Sequence, residues 1–300
     1  MKRLPTMKQL QYLVALADTE HFGRAAQRCY ITQSTLSAGI RDLESVLGTP
    51  VAERSNRQVL MTRVGARVAE RAKVLLRDAD EIMEVAKAGR DPMTGEIRLG
   101  VIPTIAPFLL PRVLPLLRAK YPALTFYLRE EQTAPLLARL EGGELEAALI
   151  ALPYDTEGLR IETVMEDEFL FACGPAHPLA GRDEVPVEAL EGEALLLLEE
   201  GHCLRGHALE VCGVGDRRTR AQFEASSLHT LVQMVAAGIG VTLVPRLAVE
   251  ARILEGTRIS LARLGAPASR RIGLAWRRRS GRAEDFQSLA GALRELTDAA

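Results

Sequence analysis

The chain has 300 residues, of which 47% are apolar and 26% are charged, and its formal net charge is −1. This composition is typical of globular proteins and excludes wholesale disorder, while the length predicts about two domains. The longest apolar runs, over 147–152 and 194–198, fall far short of the roughly 20 residues of a membrane helix. The basic N-terminus is not followed by the apolar region of a signal peptide, so we expect a cytoplasmic protein without membrane contact.

Charge is distributed unevenly along the chain. Residues 1–90 carry 15 Lys and Arg against 10 Asp and Glu, whereas residues 91–300 carry 23 against 29. A basic N-terminal segment on an acidic body indicates a nucleic-acid-binding head attached to a second domain. Chance unevenness is the alternative, which charge alone does not exclude.

The N-terminal segment is predicted to contain three short helices. Helical patterns start near Met7 and cover 22–29, and a third helix is expected from the N-cap Thr32 to a stop at Gly48. Apolar residues of the third helix recur at spacings of four, three and four, which predicts one buried face. This stripe is formed by Leu36, Ile40, Leu43 and Leu47.

The opposite face of the third helix carries side chains suited to DNA. At about 100° per residue, five small or polar residues point away from the apolar stripe. They are Ser34, Ser37, Ala38, Arg41 and Ser45. Gln33 and Thr35 lie at the N-terminal end, which a helix-turn-helix directs at base edges in the major groove. An ordinary solvated face is the alternative.

A winged hairpin is predicted directly after this helix. Two short apolar runs, around Val51 and over 59–61, flank a polar turn. Arg54 and Arg57 lie near the predicted tip, where they can reach DNA phosphates.

A long helix is predicted from Thr62 to Gly89, because this stretch has no proline. Its apolar residues alternate at spacings of four and three, the heptad pattern of a short coiled coil. The seam consists of Val68, Ala72, Leu75, Ala79, Ile82 and Ala86. We expect it to join two copies, since a helix-turn-helix usually binds paired half-sites. A helix lying on its own domain is the alternative, and 89–95 is predicted to act as a hinge.

The stretches 22–54 and 57–65 closely resemble the winged helix-turn-helix of LysR-type transcriptional regulators. The features that carry the resemblance are Ala25–Ala26, Gln33–Ser37, Leu43–Glu44 and Thr62–Gly65. It implies a double-stranded DNA operator, RNA polymerase as a partner and assembly as a dimer of dimers. We expect a winged helix-turn-helix domain over 1–62, a linker and dimerisation helix over 63–90, and a regulatory domain over 91–300.

From Glu96 onward the pattern alternates between strands and helices. Strands are predicted at IRLGVI, LTFYLRE, AALIAL, EFLFAC, ALLLLEE, GVTLVP and RIGLAWR. Helices are predicted at 106–120, 133–143, 227–238 and 283–298. This alternation favours mainly parallel sheets, and about 205 residues fit two α/β lobes around a ligand crevice, as in periplasmic-binding proteins. The chain has no phosphate-binding loop, HExxH or GxSxG, so neither an enzyme nor a cofactor is predicted.

The segment 198–212 contains two of the four cysteines. Cys203 lies between His202 and Arg205, and a helix N-terminus with a nearby Arg favours the reactive thiolate. Cys212 lies nine residues further on, and if 203–212 is helical the two thiols point to opposite faces. A disulfide then requires the helix to unravel. The alternatives are a metal site that adds His207 and two unremarkable helix cysteines.

The segment GHCLRGHALEVC resembles the redox segment of the hydrogen-peroxide-sensing LysR-type activators, and the resemblance extends over nearly the whole chain. It implies that Cys203 is the peroxide-reactive cysteine and Cys212 the resolving one, with no metal. It also implies a peroxide pocket formed by Thr104, Thr133, His202 and Arg270.

The chain departs from this resemblance at Gly206–His207, where an acidic residue followed by an amide is more usual. The departure puts the hydrogen bonds around Cys203 in question but removes neither thiol. A regulator that binds a metabolite, with incidental cysteines, is the alternative function. A thiol peroxidase is a third class, against which the basic head argues.

Overall fold

The computed structural model describes residues 4–54, 59–88, 92–211 and 224–298. The chain divides into two compact units, Met1–Arg90 and Asp91–Ala300, and each has its own hydrophobic core. None of the described helices is both long and apolar enough to cross a membrane.

The described residues of the first unit form four helices and a small hairpin. In chain order they are α1 (Met7–Thr19), α2 (Phe22–Arg28), α3 (Gln33–Leu47), β1 (Ala52–Arg54), β2 (Val59–Met61) and α4 (Arg63–Ala88). The hydroxyl of Thr32 accepts a hydrogen bond from the amide of Thr35 and caps α3, and Gly48 ends the helix in the left-handed region with φ 70°. The predicted boundaries of α3 are confirmed.

The predicted stripe of α3 forms part of the core of the first unit. Leu36, Ile40 and Leu43 are fully buried, and Leu47 is half-buried. Strands β1 and β2 pair antiparallel, which confirms the hairpin. The tip of the hairpin with Arg57, and the side chain of Arg54, lie outside the described part of the chain.

Helix α4 has two different halves. Near its start Ala69 and Ala72 are buried in the core of the first unit, so this half lies on its own domain. Further along, the seam residues Leu75 and Ile82 are 46% and 69% exposed. Within a single chain, therefore, the first half of α4 lies on its own domain, whereas Leu75 and Ile82 of the predicted seam are exposed.

The second unit is an α/β domain. Its first half contains β3 (Gly95–Val101), α5 (Ala106–Lys120), β4 (Leu124–Glu130), α6 (Thr133–Glu141), β5 (Ala147–Leu152), β6 (Leu159–Cys173), β7 (Glu184–Val185) and a 3-10 helix (Val187–Leu190). Its second half contains β8 (Leu197–Leu198), α7 (Cys203–Val211), β9 (Glu224–Ala225), α8 (Leu228–Ala236), β10 (Thr242–Pro245), α9 (Arg246–Glu250), β11 (Ser260–Leu264), β12 (Ser269–Arg277) and α10 (Ala283–Asp298).

The expectation of mainly parallel sheets is wrong, because the main sheet is mixed. Its strand order is β4-β3-β5-β12-β6-β11-β7, and β10 also pairs with β6. Strand β3 runs parallel to β4 and β5, as crossover helices require. Strand β12, however, returns from the C-terminal end of the chain and inserts antiparallel between β5 and β6. Local alternation of elements does not reveal such a long-range insertion.

Strand β6 joins the two lobes of the second unit. Its residues 159–168 pair with β12, and its residues 169–173 pair with β10 and β11. The predicted strand EFLFAC is thus the end of a longer strand, whereas ALLLLEE contributes only the two-residue strand β8. The two-lobed α/β architecture is confirmed, with one long strand shared between the lobes.

Candidate functional site

Cys203 is the first residue of α7. Its side chain is half-buried against the core of the second unit, and its thiol is free. The predicted position at a helix N-terminus is confirmed. Cys212, the predicted partner, lies outside the described residues. Arg205, two residues further along α7, donates to the carbonyl of Leu198 at 3.1 Å and to Glu224 at 2.8 Å.

The turn before Cys203 packs against the start of α6. Gly201 has φ +94°, and a Cβ atom at this position would lie 2.3 Å from Oε1 of Gln132. The side-chain amide of Gln132 also donates to the carbonyl of Glu200. Because Thr133 directly follows Gln132, the first turn of α6 lies beside the chain that leads into Cys203.

Thr104 and Thr133 each follow one of two parallel neighbouring strands, β3 and β4. Both are buried, with 2% and 1% of their surface exposed. Oγ1 of Thr133 has no hydrogen-bond partner among the described residues. The carboxyl ends of parallel strands are where the ligand crevice of such folds opens, and both hydroxyls lie just beyond those ends.

Arg270 binds Thr104 from strand β12, which is separated from β3 by β5 in the sheet. Its Nη1 donates to the hydroxyl of Thr104 at 2.8 Å, and its Nη2 donates to the carbonyl at 2.9 Å. Asp167 balances the charge, since its carboxylate accepts from Nε of Arg270 at 3.0 Å. Both charged side chains are fully buried. The structure therefore brings two of the predicted pocket residues into direct contact.

His202 is buried beside Cys203, and its Nε2 lies 3.8 Å from the carboxylate of Glu199. Burial lowers the pKa of His202 below its ordinary value, while Glu199 acts in the opposite direction. The neutral imidazole is thus favoured at neutral pH, and it can both donate and accept a hydrogen bond.

His207 is also buried, one turn after Cys203 on α7. Its ring lies against Phe169 with 6.0 Å between ring centroids, and its Nδ1 has no partner among the described residues. Burial lowers the pKa of His207, and the positive charge of Arg270 lowers it further. Within the described part of the chain, no three His, Cys, Asp or Glu side chains converge as metal ligands do.

Asp167, Phe169 and Gln132 were not found from the sequence. Asp167 lies opposite Arg270 in the antiparallel register of β6 and β12, and this register joins residues that are far apart along the chain. Gln132 acts through a contact with Gly201 that only the folded chain creates. The one available signal was an acidic residue two positions before the buried run that starts at Phe169.

The predicted DNA-binding face lies on the outside of α3. Gln33, Ser34, Thr35 and Arg41 are exposed, and Ser37 is half-buried. The hydroxyls of Ser34 and Thr35 lie 2.9 Å and 2.8 Å from that of the capping residue. The side chains of this face are short enough for the helix to approach a DNA groove closely, and Arg41 supplies one positive charge.

Two family models cover almost the whole chain. The model described as bacterial regulatory helix-turn-helix protein, lysR family, matches residues 7–66, and the LysR substrate binding domain matches residues 90–298. The chain belongs to the LysR family. Its winged head with a two-lobed second domain is the fold of this family of transcriptional regulators.

The relatives of this LysR-family chain include proteins named for hydrogen peroxide. It is 38% identical to the HTH-type transcriptional regulator EstR of Acinetobacter baylyi, with 99% of each chain covered. It is 44% identical to a probable hydrogen peroxide-inducible genes activator of Mycobacterium avium, with 97% of this chain and 94% of the relative covered.

Solved structures named OxyR share the fold over the full length. A full-length OxyR variant from Pseudomonas aeruginosa has a TM-score of 0.79 and 34% identity, and covers 97% of this chain and 95% of its own. A hydrogen-peroxide-bound cysteine mutant of Corynebacterium glutamicum OxyR has a TM-score of 0.68 and 35% identity. The match covers 100% of this chain and 94% of the OxyR chain. The resemblance to peroxide-sensing LysR-type proteins is thus confirmed in sequence and fold.

Proposed function

We propose that this LysR-family regulator is activated by hydrogen peroxide through a reversible disulfide between Cys203 and Cys212. The observation that carries the proposal is the setting of Cys203, half-buried at the start of α7, where the turn that leads into it packs against Gln132, the residue before Thr133. We assign the buried hydroxyls of Thr104 and Thr133, and Arg270, which binds Thr104, to the peroxide pocket of Cys203. The names of the relatives and of the OxyR structures support this assignment.

The first chemical step is oxidation of Cys203. Its thiolate attacks one peroxide oxygen, an S–O bond forms and the O–O bond breaks, which gives a sulfenic acid and hydroxide. Hydroxide then takes a proton from solvent. Preorganised donors accelerate this step where they face the charge that develops on the leaving oxygen. Thr104, Thr133, His202 and Arg270 are the candidates for this role.

The second step forms the disulfide and changes the structure of α7. The thiolate of Cys212 attacks the sulfenic sulfur, the S–S bond forms and the S–O bond breaks, and the leaving hydroxide takes a proton from solvent to become water. Helix α7 spans Cys203–Val211, so its length at about 1.5 Å of rise per residue exceeds the roughly 4.4–6.8 Å that a disulfide allows between Cα atoms. Formation of the bond must therefore unwind α7, and this rearrangement is the signal.

DNA binding is assigned to the first unit, with α3 in the major groove of a double-stranded operator. Gln33, Ser34, Thr35, Ser37 and Arg41 face the bases, and Arg54 and Arg57 reach phosphates. We assign 1–62 to the DNA-binding domain, 63–90 to the linker helix and 91–300 to the sensing domain.

Assembly and partners follow from the same proposal. The exposed seam residues Leu75 and Ile82 pair two copies through α4, and two such dimers form the tetramer. RNA polymerase is the partner at activated promoters.

A disulfide map by mass spectrometry before and after peroxide tests the proposal. We expect a Cys203–Cys212 bond only after peroxide, together with a changed DNA footprint. The relative named EstR, whose name does not refer to peroxide, favours a second candidate, a regulator that responds to a metabolite. A footprint that changes with a small molecule and not with peroxide would establish that candidate instead.

A further inference from the structure

Asp167 is a buried carboxylate that holds Arg270. It lies on β6 directly opposite Arg270 of β12 in the antiparallel register, and both side chains are 0% exposed. Oδ2 of Asp167 accepts from Nε of Arg270 at 3.0 Å and lies 2.9 Å from Nη2. The carboxylate thus contacts two nitrogens along one edge of the guanidinium, which fixes the orientation of the guanidinium as well as balancing its charge.

The other oxygen of Asp167 is fixed to a different lobe. Oδ1 accepts from the backbone amide of Leu247 at 2.9 Å, and Leu247 lies in α9, directly after β10. Because both oxygens have partners, the carboxylate cannot rotate without breaking a buried hydrogen bond. The position of Arg270 is therefore set by the backbone of β6 and α9, and not by its own flexible side chain.

The two terminal nitrogens of the same guanidinium hold Thr104, and Nη1 determines how its hydroxyl is oriented. Nη1 donates to the hydroxyl of Thr104, and a guanidinium can only donate. The hydroxyl oxygen of Thr104 must therefore accept this bond, which leaves the hydroxyl hydrogen to donate elsewhere. The ring of Phe169 lies 5.9 Å from the guanidinium carbon and supports the plane of the fork.

We propose that Asp167 is a positioning residue for the oxidation of Cys203, an inference that rests on the peroxide reaction proposed above. It orients Arg270 so that Thr104 presents a hydroxyl hydrogen to the leaving oxygen of peroxide. The balance of the step is unchanged: the sulfur loses two electrons, the S–O bond forms, the O–O bond breaks, and hydroxide leaves. Thr104 stabilises that hydroxide as a donor, and Asp167 acts through Arg270 without touching peroxide.

The molecule contains a second arrangement of this kind that serves as a control, in which the arginine also lies 3.5 Å from the carboxylate of Glu146. Asp285 is buried, its Oδ2 accepts from Nε of Arg282 at 2.9 Å, and its Oδ1 accepts from the amide of Met93 at 3.0 Å. The same pattern, one oxygen on an arginine Nε and the other on a backbone amide, thus occurs at the start of β3, with neither threonine attached. Asp167→Asn and Asp285→Asn remove one buried charge each from pairs of similar geometry.

The experiment measures two rates on each full-length reduced variant by stopped flow. One is sulfenic acid formation at Cys203 with hydrogen peroxide, and the other is alkylation of the same thiol with iodoacetamide. For Asp167→Asn we expect the peroxide rate to fall by at least about 10-fold, since loss of a preorganised donor costs about 10²–10³. The iodoacetamide rate is expected to change far less. Asp167→Glu, which keeps the charge, is expected to recover part of the peroxide rate.

Asp285→Asn is expected to lower the melting temperature as Asp167→Asn does, with the ratio of the two rates unchanged. Parallel losses of both rates in Asp167→Asn, or the same ratio in both Asn variants, would overturn the positioning role. If Asp167→Asn does not fold, Asp167→Glu is used instead. A ratio of peroxide rate to iodoacetamide rate equal to that of the wild type would then overturn the positioning role. A wild-type Cys203 that reacts with peroxide no faster than a free thiol would overturn the proposed function itself.

Discussion

Arg270 and Thr104 are joined twice, once through the threonine hydroxyl at 2.8 Å and once through its carbonyl at 2.9 Å. Replacing Thr104 with valine removes the first bond and leaves the second, because the second uses the backbone. The main chain at this position therefore keeps its anchor when the hydroxyl is lost. This separates the chemistry of the hydroxyl from the fold of the turn that carries it.

We expect Thr104→Val and Thr133→Val each to slow the oxidation of Cys203 by peroxide severalfold or more. The hydroxyls hold peroxide in line and stabilise the leaving oxygen, whereas iodoacetamide does not use that geometry. Stopped-flow rates with both reagents provide the measurement. Thr242→Val is the control, because this buried hydroxyl donates to the carbonyl of Leu196, directly before β8. Equal falls in the two rates would show that the threonines act on folding instead.

The two cysteines of the proposed switch are expected to fail in different ways. Cys203→Ser removes the nucleophile, so the protein should keep its reduced footprint at every peroxide concentration. Cys212→Ser should still form a sulfenic acid and then progress to sulfinic acid, since no resolving thiol is present. Mass spectrometry of peroxide-treated protein distinguishes these products. Cys173→Ser is the control, because burial raises the pKa of this strand cysteine and keeps it protonated.

Arg41→Ala is expected to reduce sequence discrimination by about 10-fold or more, in line with the loss of one base contact. Arg54→Ala or Arg57→Ala should instead weaken all sequences alike and reduce the slope of log affinity against log salt by about one unit each. Titrations of operator and scrambled DNA at several salt concentrations separate the two effects. An Arg41→Ala variant with wild-type affinity and specificity would refute the placement of α3 in the groove.

The double variant Leu75→Glu, Ile82→Glu is expected to be monomeric and to bind the operator weakly. Both side chains are exposed in the single chain, so the charges disturb its fold little but enter a buried seam in the dimer. Sedimentation gives the oligomeric state. Arg67→Glu, at an exposed position of the same helix outside the seam, should sediment as the wild type does. A full-size oligomer for the double variant would rule out the coiled coil.

Stability is expected to fall as the pH drops below about 6.5, the ordinary pKa of histidine. Burial and Arg270 lower the pKa of His207, so below this pH the unfolded chain binds a proton that the folded chain resists. Above it both states are neutral and the contribution vanishes. His207→Gln should make the decline shallower, as judged by urea midpoints between about pH 5 and pH 8. Identical pH slopes in both proteins would contradict the burial of a titrating His207.

Prediction from the sequence succeeded where the determinant is local. The cap at Thr32, the stop at Gly48 and the start of α7 at Cys203 each depend on residues within one or two turns. It failed where strands from distant parts of the chain meet. Strand β12 inserts between β5 and β6, and no periodicity within a segment reports its direction.

The candidate site shows the same division. Thr104 and Thr133 were placed beyond two parallel strands, and that placement is confirmed. The contact between Arg270 and Thr104 is known only from the folded chain, because it joins residues 166 positions apart. Asp167 escaped notice for the same reason, since its importance derives entirely from its cross-strand partner. The family resemblance pointed to the predicted pocket residues, but it did not point to Asp167, which holds Arg270.

The ion pair of Arg282 and Asp285 fixes where the second unit can be cut from the first. Asp285 accepts from the amide of Met93, and Arg282 donates to the carbonyl of Thr94, so Met93 and Thr94 are tied to the first turn of α10 and the residue before it. A fragment that starts at Pro92 retains these anchors. One that starts at Ile97 leaves a buried guanidinium and a buried carboxylate with bonds missing at the N-terminal edge of the sheet. Dissection of this protein for calorimetry or crystallisation should therefore begin upstream of Met93.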